Sequence, residues 1–250
     1  MFSKGMKDSY LHDGFLVVRS LFGSDELQAV RARMEEIIAD PSRAPAGVSI
    51  GREGDTEADT SRAEARNQSI RGIAFLARFD PTYRAFAQHP KLLDIVRGLL
   101  GPRVKLFRDQ ALLKPPGGQA KPVHQDQSYF RVVPMDSLVT AWIALDEATE
   151  ANGCMVYVPG SHRHGIFDVA PDPRRPVHHV PQTGHLRLPP AVACPVPPGS
   201  VILHHGCTLH ASGDNNTETW RRAVIFHYTS SEARSEKDEL NRQVSLEIDP

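Results

Sequence analysis

From Pro102 onward, proline and glycine cut the chain into short β-prone runs, and this punctuation limits what it can fold into. The runs are Val104–Leu113, Leu138–Leu145, Met155–Val158, Val201–His205 and Ala223–Thr229, separated by turns such as KPPGGQAKP and PVPPGS. Many short strands broken in this way predict a sandwich or barrel rather than a parallel α/β sheet. Helical signals lie in the first hundred residues. Ser24 is expected to cap a helix with Asp25 and Glu26 in its first turn, and Leu27, Val30, Met34, Ile37 and Ile38 recur at helical spacing up to Pro41. A second helix is expected from Pro90, its stripe made by Leu92, Leu93, Val96, Leu99 and Leu100, with Gly101-Pro102 as the stop. Residues 42–68 are polar and carry little periodicity, which reads as a long mobile loop or lid.

The expectation is one domain over residues 1–250: helical elements to about 101, a β-core over about 102–230, and a tail over 231–250. There is no GxGxxG, P-loop or repeat. Twenty-nine Lys and Arg balance 30 Asp and Glu, so no basic surplus exists to recruit nucleic acid. No apolar run is long enough to span a membrane, and the amino terminus does not read as a secretory leader. The three cysteines, Cys154, Cys194 and Cys207, are odd in number and scattered, which suits a reducing cytoplasm. Oligomeric state is not legible.

Of the 12 histidines, His12, His89, His178, His179 and His185 have polar or proline-rich neighbours and read as surface residues. His162 and His164 read as turn residues, and His204 and His205 should point to opposite faces of one strand. The informative group is His124-Gln125-Asp126, where extended backbone would put an imidazole and a carboxylate on the same side. His210 lies far downstream in a strand-like stretch, and Arg221 follows it by eleven residues. Two imidazoles and a carboxylate are the facial triad of non-haem Fe(II) oxygenases, and a guanidinium can clasp a carboxylate through two hydrogen bonds. The same donor set also suits catalytic zinc, although HExxH is absent.

HQDQSYF, TAWIALDEATEANGCMVYVPGSHRHG and PPGSVILHHGCTLHASGDNN…RRA occur in the order and at the spacing of the phytanoyl-CoA dioxygenase family, which the chain resembles over roughly residues 10–230. The resemblance implies a mainly β protein with flanking helices: a double-stranded β-helix, or cupin-like jelly roll, with an amino-terminal helical layer. It also implies an Fe(II)- and 2-oxoglutarate-dependent dioxygenase that uses O2 to hydroxylate an aliphatic C–H of a small-molecule substrate, releasing succinate and CO2. Position by position, His124, Asp126 and His210 resemble the iron ligands, and Arg221 and Ser212 the partners of the cosubstrate's distal carboxylate. Trp142 matches a pocket-lining aromatic, and Gln110 falls where relatives place Gln or Met. Arg71 stands where relatives often carry Lys, a departure. Related halogenases replace the carboxylate by Gly or Ala, so Asp126 speaks against halogenation. A jelly-roll protein that binds a metabolite or 2-oxoglutarate without turnover would use the same residues. The 42–68 and 165–190 segments are expected to rim the mouth, where Arg52, Arg174 and Arg175 are either solvated charges or a hint of a polar or anionic substrate.

Overall fold

The computed structural model describes residues 1–52, 70–172, 175–184 and 186–248. Residues 53–68 of the expected lid, together with Arg174 and His185, lie outside that set, as do the side chains of Arg175 and His178. Two antiparallel sheets form the core. The larger runs Phe15–Val18, Val201–His205, Leu138–Ala144, Arg221–Ser230, Val104–Lys114, Ile70–Ala74, Ser49–Arg52, with Leu246–Ile248 also paired to Val104–Lys114. The smaller runs Val192–Cys194, Met155–Tyr157, His210–Ser212, Lys121–His124. This is the jelly-roll, cupin-like architecture that the family resemblance implies, and one form of the sandwich or barrel expected from the punctuation.

Alternation explains the layering. Along the large sheet Trp142, Ala144, Ile202, Ala223 and Ile225 point toward the small sheet and pack with Met155, Tyr157 and Cys194. Their neighbours Ala141, Ile143, Leu203, Val224 and Phe226 point the other way. There they meet Leu27, Val30, Met34 and Ile37 of helix Ser24–Ala39 and Leu92, Leu93 and Val96 of helix Pro90–Leu100. Every residue of Leu138–Ala144 is therefore buried, as a strand covered on both faces must be.

The first hundred residues are less purely helical than expected. Three of their segments, Phe15–Val18, Ser49–Arg52 and Ile70–Ala74, join the large sheet, so part of the expected 42–68 loop is strand. Each is only four or five residues long, too short for its alternation to stand out from a helical background. The tail also contributes the edge strand Leu246–Ile248. The first cap shifts by one residue: Gly23 is the N-cap of Ser24–Ala39, and its backbone N–H donates to the Glu26 carboxylate at 2.8 Å. The second helix keeps its expected bounds. His89 caps that helix and pairs with Glu26 at 3.1 Å, so it is a structural residue rather than a bare surface one.

Within 165–190, Val169–Asp172 and Arg175–Pro181 form a two-stranded hairpin against the small sheet. His162 and His164 lie in a short 3-10 turn. Among the described residues no helix is long and apolar enough to cross a membrane, and all three cysteines are free and buried.

Candidate metal centre and cosubstrate pocket

His124 ends strand Lys121–His124, and Asp126 opens the short helix Asp126–Phe130. Gln125 between them is extended (φ −126°, ψ 138°), and that single residue preserves the same-side relation although Asp126 itself is helical. Gln125 points the opposite way and is fully buried. Its amide donates to the carbonyls of Gly165 and Cys207 and accepts from the Phe167 N–H, which pins the turn. His210 begins the neighbouring strand directly across from His124.

The ligand atoms of His124, Asp126 and His210 all lie within 4.8 Å of one another. Asp126 Oδ1 is 4.0 Å from His124 Nε2 and 3.7 Å from His210 Nε2. The tautomers follow from the partners on the far side of each ring. His124 Nδ1 is 2.8 Å from the Pro122 carbonyl and His210 Nδ1 is 2.9 Å from the Thr208 carbonyl. A carbonyl only accepts, so both Nδ1 atoms carry the proton and both Nε2 lone pairs face the carboxylate. Two neutral imidazole nitrogens and one carboxylate oxygen on one side of a cavity fit a divalent first-row metal with open positions.

The second oxygen of Asp126 shows a feature that spacing did not reveal. Thr140 Oγ1 donates to Oδ2 at 2.6 Å and His204 Nε2 donates at 3.0 Å. Since the Thr140 proton goes to the carboxylate, His227 Nδ1 donates to Thr140 Oγ1 at 2.8 Å. That leaves His227 Nε2 to accept from the Gln110 amide at 3.4 Å. On the other branch, neutral His204 accepts at Nδ1 from the Tyr157 hydroxyl at 3.1 Å. Both chains of donors therefore run toward Asp126 Oδ2 and leave Oδ1 for the metal side. Burial alone would raise the Asp126 pKa, but the His204 hydrogen bond and the nearby His210 and His227 hold it well below the usual carboxylate range. His205, expected on the opposite face, is also buried, against Asp136 and Tyr10, because another layer covers that face.

Burial pulls His124, His204, His210 and His227 down to about 4, partly offset by Asp126. In the unfolded chain these imidazoles would titrate near ~6.5. Below that pH the unfolded state binds more protons than the folded one, so stability should be flat above about 6.5 and fall as pH drops toward about 4. Urea midpoints of metal-free protein at pH 8.5, 7.5, 6 and 5 should be level over the first step and decline across the last two. A midpoint unchanged at pH 5 would show that these rings are not held neutral.

The other expected site residues line one cavity of about 470 Å³ that adjoins the triad: Arg71, Gln110, Trp142, Ser212 and Arg221. Arg221 is 2% exposed, lies 5.4 Å from the Trp142 ring centre, and its Nε and Nη1 have no hydrogen-bond partner among the described residues. Burial lowers its pKa to about 10, so it stays charged at neutral pH. A buried guanidinium with idle donors calls for a carboxylate. Lys114, which spacing did not single out, faces Arg221 across the strand pair and donates to Ser212 Oγ at 3.0 Å and to the Gly213 carbonyl. Arg222 points to the other face, bound to Asp146 through Nε and Nη2 at 2.8 and 2.9 Å and to Glu35 at 3.0 Å.

Comparison with known proteins agrees with this geometry. The family model described as phytanoyl-CoA dioxygenase matches residues 10–223. The chain belongs to the phytanoyl-CoA dioxygenase family. It is thus a member of a family of iron- and 2-oxoglutarate-dependent oxygenases. Among relatives of the family, a probable phytanoyl-CoA dioxygenase of Caenorhabditis elegans is 29% identical over 95% of this chain and 76% of its own length. A probable alpha-ketoglutarate-dependent hypophosphite dioxygenase of Stutzerimonas stutzeri is 27% identical over 93% and 80%. The non-heme alpha-ketoglutarate-dependent carbocyclase SnoK from nogalamycin biosynthesis superposes with a TM-score of 0.75 at 25% identity, covering 100% of this chain and 94% of SnoK.

His204, with Thr140 and His227, is a residue at this centre that sequence reading missed. Outer partners of a metal ligand typically account for about 10- to 100-fold in metal affinity. His204→Phe should therefore weaken Co(II) binding by that order, measured by titrating the cobalt absorbance. His204→Gln, whose amide can still donate to Asp126, should recover most of it. Equal losses in both variants would assign His204 a packing role only.

Proposed function

We propose that the protein hydroxylates an aliphatic C–H of a small-molecule metabolite, converting 2-oxoglutarate and O2 to succinate and CO2 as one oxygen atom enters the substrate and the other the succinate. The observation that carries this is the two-ended cavity. Two imidazole nitrogens and a carboxylate converge at one end, and a buried guanidinium with idle donors waits at the other. That spacing of functions suits a diacid held between a metal and a cation.

In this reading His124, Asp126 and His210 would hold iron(II), which when bound supplies the activation of oxygen and the cleavage of the C–H bond. Arg221 and the Ser212 hydroxyl bind the 5-carboxylate, and Trp142 keeps that end of the pocket apolar and dry, which strengthens the charge-assisted bonds. Thr140 and His204 keep Asp126 Oδ2 occupied, so the carboxylate offers one oxygen to the metal. The chain's own contribution is orientation and exclusion of water.

The test is a metabolite screen on iron-loaded protein with 2-oxoglutarate, reading succinate release against oxygen consumption and then the mass of the product. A product heavier by one oxygen, with one succinate per turnover, supports the reading. Binding of 2-oxoglutarate with no succinate from any substrate would point instead to a non-catalytic binding protein. A product lighter by two hydrogens would keep the oxygenase and remove hydroxylation.

A further inference from the structure

Ser212 and Lys114 reach the Arg221 end of the main cavity from different sheets. Ser212 stands two residues after His210 on the strand His210–Ser212, so its side chain shares the cavity-facing side with that histidine. Its cross-strand neighbour Met155 lines the same cavity. Lys114 ends strand Val104–Lys114 directly opposite Arg221, and partners across an antiparallel pair project to one side. Both side chains are buried, and the ammonium bridges the two sheets by donating to Ser212 Oγ at 3.0 Å and to the Gly213 carbonyl.

The direction of the bond to Ser212 has a consequence. An ammonium has donors and no acceptor, so Ser212 Oγ can only accept from Lys114, and the hydroxyl's own proton must go to another group. Among the described residues none accepts it. That proton and the idle Arg221 Nε and Nη1 are therefore donors at one end of one cavity. Among the described residues lining it, the one carboxylate is Asp126, at the metal end. The support behind the ammonium is itself held from two sides. Buried Asn215 donates its amide to the Lys114 and Pro115 carbonyls at 3.0 Å each and to the Thr219 carbonyl at 2.8 Å, which ties the loop between Ser212 and Arg221 to the Lys114 backbone. Gly153 (φ +79°) lies so close to the Gly213 carbonyl that a Cβ there would collide with it, so the second acceptor of the ammonium is wedged in place.

We propose that Lys114 is a positioning residue for the cosubstrate: by donating to the Ser212 oxygen it turns the Ser212 hydroxyl into a donor for the distal carboxylate beside Arg221. This rests on the 2-oxoglutarate reading above and gives that seat a third residue, one that acts through Ser212 rather than on the ligand. Donation from a cation also strengthens the hydroxyl as a donor, because hydrogen bonds in a chain polarise one another.

The experiment is a double-mutant cycle on full-length protein loaded with iron(II), read as the anaerobic visible absorbance raised by 2-oxoglutarate. A wild type without that absorbance would remove the 2-oxoglutarate reading and this proposal with it. Where the wild type responds, Ser212→Ala and Lys114→Met should each raise the half-saturation about three- to tenfold, with iron(II) affinity unchanged. Placed in the Ser212→Ala background, Lys114→Met should add less than about twofold, since two residues acting through one hydroxyl are not additive. Lys114→Gln, which keeps an N–H donor and loses the charge, should bind 2-oxoglutarate more tightly than Lys114→Met. It replaces that variant in the cycle if thermal melts of metal-free protein show that the methionine protein does not fold; a half-saturation near wild type then supports the proposal. A Lys114 effect of equal size with and without the Ser212 hydroxyl, in either cycle, would overturn it, because the ammonium would then act on the carboxylate directly. So would an unchanged half-saturation in Lys114→Met or in Ser212→Ala, or a Lys114→Gln protein as weak as Lys114→Met.

Discussion

His210→Ala protein should fold and fail to hold iron(II). His210 is 4% exposed, but its ring borders a cavity rather than close-packed core, so truncation enlarges a space already present. The loss of an outer partner costs about 10- to 100-fold in metal affinity. Removing a direct ligand from a three-ligand set should exceed that, and turnover should vanish with the metal. His124→Ala should behave alike, because its Nε2 faces the same point with the same tautomer. Circular dichroism and thermal melts of metal-free protein would separate this from misfolding. Unchanged metal affinity in both variants would take these histidines out of the ligand set.

Arg221→Lys should raise the half-saturation for 2-oxoglutarate by about ten- to 150-fold while leaving metal affinity in place. Lysine keeps the charge but replaces a planar fork with a point donor, so one charge-assisted hydrogen bond worth about 1.5–3 kcal/mol is lost. Arg221→Ala should be worse, since the cosubstrate carboxylate would be buried without its cation. Arg222→Ala is the control. Its side chain lies on the opposite face, clasped by Asp146 and Glu35, so the variant should lose roughly 1.5–3 kcal/mol of stability with 2-oxoglutarate kinetics near wild type. If Arg222→Ala rather than Arg221→Lys moves the half-saturation, the cosubstrate approaches from the other face of the sheet.

That Arg221 and Arg222 face opposite sides could be read from alternation, because both lie in a long regular strand buried on both faces. The five β-runs after Pro102 were legible for a related reason: proline and glycine mark their ends, and the observed bounds differ from the expected ones by two residues or fewer. The short strands at Phe15 and Ser49 were hidden because four residues carry no periodicity. The network around Asp126 was hidden for a different reason. Thr140, His204 and His227 lie 14, 78 and 101 residues beyond Asp126, and they meet it through the register of three adjacent strands. Register is set by pairing across the sheet, which no local pattern records. One signal was available: Thr140 shares the inward parity of Trp142, and His204 that of Ile202, so both side chains had to enter the space between the sheets. Lys114 could have been found the same way, as the cross-strand neighbour of Arg221.

The central claim is that one cavity holds both iron(II) and 2-oxoglutarate and turns them over. Its most direct test is anaerobic titration of 2-oxoglutarate into iron-loaded protein, followed by admission of oxygen and counting of succinate. Wild type should develop a visible absorbance that saturates at one equivalent and should then release succinate in step with oxygen uptake. Arg221→Ala should need far more 2-oxoglutarate to reach the same absorbance, and His210→Ala should show none. A wild-type protein that binds iron without any 2-oxoglutarate-dependent absorbance, or a His210→Ala protein that keeps it, would contradict the account.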